Sequence, residues 1–149
     1  MQDDNQVRQR LTDLFAGQRL AVLSTNQPAG HPYASLVAFT ASEDLKYMYF
    51  ATSRATRKYA NLQKDARVAM LVNNSRNQSS DFYQAIAATG VGYAVELSGD
   101  AAQAARRRHV DRHPYLEDFV NSPSCAIFQV TLQTYYLVEN FQNVTEVHL

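Results

Sequence analysis

Apolar residues recur along this chain with two different periods. Up to Gly17, the residues Val7, Leu11, Leu14 and Phe15 fall at i, i+4, i+7 and i+8 with polar residues between them, which predicts an amphipathic helix that stops at the glycine. The pattern then shortens. Leu20 to Thr25 and Tyr33 to Thr40 read as strands on either side of the breaker-rich Asn26-Gln27-Pro28-Ala29-Gly30. Ala41-Ser42-Glu43-Asp44 leads into a third strand, Lys46 to Ala51. Turns this short join antiparallel neighbours, because a parallel pair needs a long crossover.

A helical period returns at Ser53, where the stem of Lys58, Tyr59 and Leu62 can share a face before Asp65 ends the segment. Arg67 to Val72 predicts a fourth strand, Asn73 to Ser80 a polar, mobile loop, and Ala85 to Leu97 a long fifth strand. Gly90 and Gly92 inside that strand predict a bulge or a close backbone approach. Asp100 to Arg112 reads as an alanine-rich helix, capped by Ser98 or Asp100 and broken by Pro114. Ala126 to Val138 and Val144 to Leu149 add two strands. Six or seven strands in one sheet that must hide its edges predict a mainly β fold: an antiparallel split β-barrel with a few flanking helices, one domain over residues 1–149.

Composition narrows the function classes. Apolar residues make up 46% and charged residues 19%, the balance of a globular chain. Fourteen basic residues match fourteen acidic ones, so the basic excess of a nucleic-acid or acidic-membrane binder is absent and neither partner is expected. The single cysteine, Cys125, excludes an intrachain disulfide and reads as a buried apolar residue in a strand, which suits a cytoplasmic protein. Met1-Gln2-Asp3-Asp4 is acidic and polar and shows no secretory signal, and no run approaches the roughly 20 apolar residues of a membrane span.

The segment Thr52-Ser53-Arg54-Ala55-Thr56-Arg57-Lys58 carries the most chemistry. A strand runs into a helix start that offers hydroxyls, cations and unsatisfied backbone amides, a set that suits a phosphate. Arg57 can bind two phosphate oxygens and Lys58 adds a point charge. The alternative from these residues alone is a helix capped by Ser53 or Thr56 whose cations are simply solvated, although cations at a helix N-terminus oppose its dipole.

With Leu20–Thr25, Pro32–Thr40, the aromatic third strand, Thr56-Arg57-Lys58, Asn61-Leu62 and Arg67-Val68-Ala69-Met70-Leu71-Val72, the chain resembles the pyridoxamine 5'-phosphate oxidase-like superfamily of FMN-binding split barrels. Ala88 to Gly92 and Tyr135 to Val138 sit where that superfamily has its remaining strands. The resemblance implies FMN as cofactor, with Thr56, Arg57 and Lys58, helped by Thr52, on its phosphate. It places Ser35, Leu36 and Val37 along the flavin ring and ribityl chain, largely through their backbone, and lets Gln84 reach the flavin of the partner subunit. It further implies a homodimer with the flavin at the interface and an oxidoreductase acting on a small-molecule substrate. Tyr33 to Phe39 contains neither Arg nor Lys and the chain has no Trp, so pyridoxamine phosphate oxidation itself is not expected.

His109 and His113 have a metal-gripping spacing, but a general-base Glu is missing and Pro114 cuts the helix, so a solvated basic face with Arg106, Arg107, Arg108 and Arg112 is the expected reading, and no metal. A related branch of split barrels binds and degrades haem through histidines near the C-terminus, a role His148 would fill. A flavin- or haem-binding module without turnover, or a barrel that has lost its cofactor, are the remaining classes.

Overall fold

The computed structural model describes residues 3–149; Met1 and Gln2 of the acidic N-terminal stretch lie outside the described residues. The strands are β1 (Leu20–Asn26), β2 (Pro32–Ala38), β3 (Thr40–Ala41), β4 (Tyr47–Ser53), β5 (Arg67–Asn73), β6 (Ile86–Glu96), β7 (Cys125–Glu139) and β8 (Asn143–His148). They form one antiparallel sheet in the order β2-β1-β5-β6-β7-β4-β3, with β8 beside β7. The expected mainly β split barrel is therefore present, with eight strands among the described residues where six or seven were expected.

β7 organises the sheet. One of its edges pairs with β6 along nearly the whole length. The other is shared: Cys125–Thr131 pairs with β4, and Thr134–Glu139 pairs with β8. The extra strand arises at Phe39, where the expected strand Tyr33–Thr40 changes partner. Residues up to Ala38 pair with β1, and Thr40 pairs with Tyr49 of β4. Phe39 itself donates its amide to Arg19 O at 3.2 Å and its carbonyl accepts from His113, so its backbone is satisfied outside the ladder. The glycine expectation holds as well: the β6–β7 register shifts between Val91 and Gly92.

Among the described residues, five α-helices flank the sheet: α1 (Asp4–Gly17), α2 (Arg57–Lys64), α3 (Asp81–Gln84), α4 (Gly99–Arg112) and α5 (Glu117–Val120). α3 is a single turn that closes the polar loop after β5. Its Asp81 carboxylate accepts from the amides of Arg76 and Gln78. α1 buries Val7, Leu11, Leu14 and Phe15 against the barrel, where Phe15 meets the rings of Phe39 and Tyr135. α4 lays Ala102 and Ala105 on Ile127, in a second, smaller cluster. Ser98 occupies its cap position without a side-chain bond to the first turn. Cys125 is buried in β7, as expected. None of the helices among the described residues is long and apolar enough to cross a membrane.

The C-terminal end of α4 departs from the expected solvated face. His109 is 1% exposed and its Nδ1 hydrogen-bonds Thr40 Oγ1 at 2.8 Å, while His113 Nε2 donates to Phe39 O at 2.7 Å. Arg112 donates to Phe15 O at 2.7 Å and to Gln18 O, and Arg106 donates to Cys125 O at 3.2 Å. The helix faces the strand break and the end of α1, whose free carbonyls need donors, so these side chains turn inward. Arg107 and Arg108 are exposed.

A buried neutral imidazole couples stability to pH. Burial first, and then the charges of His113 and Arg112, lower the His109 pKa from 6.5 to about 4. A pKa depressed by folding contributes stability that is complete above pH 6.5 and is lost as the pH falls through 4. We expect acidification across this window to remove on the order of 3 kcal/mol through this one group. Urea unfolding of wild type and His109→Gln at a series of pH values checks it: the variant is expected to give the flatter profile, and parallel profiles would refute the assignment.

Candidate phosphate-binding turn

β4 alternates, burying Met48, Phe50 and Thr52. The last of these is polar. Thr52 Oγ1 lies 2.9 Å from Thr56 Oγ1, and both hydroxyls reach the Ser53 carbonyl, at 3.2 and 2.9 Å. Thr56 caps α2, accepting from the Tyr59 amide at 3.3 Å. The Ala55 amide is taken by Ser53 Oγ and the Thr56 amide by Ser53 O. The next two amides, of Arg57 and Lys58, have no acceptor among the described residues. The turn is thus braced from inside, and it presents two free donors at the positive end of a helix.

The three cations of the segment have different fates. Arg54 donates to Glu96 Oε2 at 2.7 Å and to Pro123 O at 3.0 Å, and the Tyr59 hydroxyl donates to Glu96 Oε1 at 2.7 Å. Burial acts to raise the Glu96 pKa, but the bonds from Tyr59 and Arg54 outweigh it, and the carboxyl stays below its ordinary value. Glu96 therefore neutralises Arg54 and ties both ends of the turn to β6. Arg57 and Lys58 form no ion pair with any acid of the described residues. Arg57 is exposed, whereas Lys58 is half-buried and burial alone lowers its pKa. A partly desolvated ammonium without a carboxylate is a costly feature unless an anion visits it.

The remaining expected residues lie elsewhere on the barrel. On β2, Ser35 and Val37 point inward and Leu36 points out, 63% exposed. The three can follow one ligand only through their backbone, as the resemblance implied. The Ser35 hydroxyl is shut from solvent with no hydrogen-bond partner among the described residues. Gln84 is exposed at the end of α3, beside Arg10 and Arg76 in a polar groove formed by α1 and the loop after β5. Sequence reasoning missed Glu96 and Tyr59. No motif marks them, since they meet only when β6 closes against α2. Asn61, by contrast, was among the matching residues, and its buried Nδ2 donates to Thr25 Oγ1 at 2.9 Å, fixing α2 on β1.

Two amides and two cations, none of them with an acid partner among the described residues, make a donor set that fits a phosphate monoester, while the Thr52 and Thr56 hydroxyls are spent on the Ser53 carbonyl and shape the turn instead of reaching the ligand. Over residues 7–139 the chain matches the family model described as pyridoxamine 5'-phosphate oxidase. The chain belongs to this family. Among solved structures, a heme-binding protein from Mycobacterium smegmatis is similar at TM-score 0.82 and 18% identity, covering 99% of this chain and 59% of that one. The heme storage protein HutZ from Vibrio cholerae is similar at TM-score 0.75 and 13% identity, over 88% and 92% of the two chains. General Stress Protein 26 from Bacillus anthracis gives TM-score 0.73 and 18% identity, over 96% and 98%. At these identities the likeness shows the pyridoxamine 5'-phosphate oxidase-like fold. This chain spans about three fifths of the mycobacterial protein's length. No curated protein sequence matches the chain.

Proposed function

We propose that this member of the pyridoxamine 5'-phosphate oxidase family binds FMN, with the phosphate held at the start of α2, and uses it as a cytoplasmic oxidoreductase acting on a small molecule. The observation that carries this reading is the pair Arg57 and Lys58, which form no ion pair with an acid of the described residues and whose own amides have no acceptor among them. Arg57 and Lys58 would hold the phosphate through charge-assisted bonds, and Thr52 and Thr56 keep the turn in shape. Bound flavin would supply hydride-transfer chemistry, and the chain would orient it and admit the substrate.

A homodimer belongs to the same proposal. The outer face of the sheet carries the cross-strand row Leu36–Val22–Leu71–Thr89–Tyr136, with Leu20 50% and Val95 58% exposed on the same sheet. Apolar surface of this extent on a barrel wall is the kind a second copy covers.

Haem is the second reading, favoured by the heme-binding and heme-storage neighbours. His148 is exposed on β8, its Nδ1 3.2 Å from Thr134 Oγ1 and its Nε2 3.2 Å from Glu146 Oε2. The visible spectrum separates the readings. Flavin bands as purified, or quenched flavin fluorescence on adding FMN, are expected. A Soret band would put haem first, and a colourless protein indifferent to both would mean a barrel without either cofactor.

A further inference from the structure

The end of α1, the start of β1 and the segment after α4 enclose a groove of about 780 Å³, separate from the α2 turn. Arg19, Leu20, Ala38, Arg112, His113 and Tyr115 line it. Arg112 is held still. Its guanidinium stacks 5.4 Å from the Phe39 ring centre and caps α1 through Phe15 O and Gln18 O. Its Nε is shut from solvent and has no acceptor among the described residues.

Arg19 is exposed and forms no ion pair with the described acids, yet it is close enough to act on its neighbours. Arg112 is pushed below the ordinary arginine range by burial first and by the Arg19 charge second. His113 is also lowered by burial, against the pull of the Phe39 carbonyl, with Arg112 and Arg19 adding to the drop. Asp111 lines the groove too, but it pairs with neither arginine. The two guanidiniums thus repel one another across the groove, and Asp111, which also lines it, neutralises neither. Beside them, Tyr115 is fully exposed and Leu20 half so, which leaves an apolar wall next to the cations.

We propose that this groove is a binding site for a small molecule carrying an oxyanion, carboxylate or phosphate, on an apolar or aromatic body. The anion bridges Arg19 and Arg112 and relieves their repulsion, while the body packs on Leu20 and Tyr115. The pre-set Arg112 guanidinium lowers the ordering cost of binding. Nothing in this site depends on flavin at the α2 turn.

NMR titration of the full chain, following the His113 ring signals, tests the proposal with four probes: phenyl phosphate, benzoate, inorganic phosphate and benzyl alcohol. At least one of the aromatic oxyanions is expected to bind and shift His113, and which one binds more tightly identifies the anion class. Benzyl alcohol is expected not to bind, and inorganic phosphate to bind at least tenfold more weakly than phenyl phosphate. Arg19→Ala is the variant of choice, because Arg112 also caps α1 and its loss can unfold the helix end. A tenfold or greater loss of affinity in Arg19→Ala, with Arg57→Ala unchanged, supports the groove. Absence of binding by both aromatic oxyanions overturns it, as does affinity unchanged by Arg19→Ala, affinity lost in Arg57→Ala, or equal binding of inorganic and phenyl phosphate.

Discussion

Replacing Arg57 and Lys58 together by alanine is expected to weaken FMN binding at least a hundredfold while leaving the fold intact. A charge-assisted hydrogen bond is worth roughly 1.5–3 kcal/mol. Arg57 is exposed, so solvent screening discounts its share, whereas half-buried Lys58 keeps more of its own. A combined loss of about 3 kcal/mol corresponds to a factor of about 150. Neither side chain makes a hydrogen bond or ion pair within the described residues, and both oppose the α2 dipole. The double variant is therefore expected to melt at or slightly above the wild-type temperature. That combination, weaker ligand binding without lost stability, separates a binding role from a structural one. Fluorescence titration at two salt concentrations and a thermal melt read both quantities, and unchanged FMN affinity would remove the phosphate assignment.

Gly92→Ala is expected to be the most damaging single substitution in the barrel. A Cβ there would sit 1.9 Å from the Thr131 carbonyl oxygen, 2.8 Å from its carbon and 3.0 Å from Leu132 Cα. All three are backbone atoms of β7, the strand that pairs with β4, β6 and β8, so they cannot move aside without breaking ladders on both edges. We expect a loss above about 3 kcal/mol or failure to fold. Gly90→Ala meets side-chain atoms instead, Leu132 Cδ2 at 2.7 Å and Tyr135 Cε1 at 2.9 Å. It is expected to cost less, although the Tyr135 hydroxyl, donating to Leu45 O at 2.6 Å, restrains that ring. Chemical denaturation of the two variants gives the order directly, and a Gly92→Ala protein within about 1 kcal/mol of wild type would contradict the close approach.

Much of this architecture was legible along the chain because it follows from local pattern. The strand run Lys46–Ala51 and the Val7-Leu11-Leu14-Phe15 spacing of α1 follow from local pattern alone, and the structure keeps both, as β4 and as the buried face of α1. The two glycines announced the β6–β7 irregularity for the same local reason. The break at Phe39 was not legible, since an apolar residue continues a strand pattern equally well whether or not its backbone changes partner. What decides it is distant: the Arg19 carbonyl and the His113 ring. The inward turn of His109, Arg112 and His113 was missed on similar grounds. Polar side chains on a helix read as solvated until the carbonyls they satisfy are brought beside them.

The candidate site divides along the same line. Thr56-Arg57-Lys58 could be picked out because a strand end, a cap and two cations are consecutive. The sequence could not tell which of three cations would be spent inside the protein. Glu96, far along the chain, settles that by taking Arg54, and it leaves the other two available.

The comparison of FMN with riboflavin, which lacks the phosphate, tests the central claim most directly. Titrating the purified chain with each and following flavin fluorescence is expected to show FMN binding at least a hundredfold more tightly, with most of that preference lost in the Arg57→Ala, Lys58→Ala double variant. Equal affinity for the two flavins, in wild type and variant alike, would contradict a phosphate site at the start of α2.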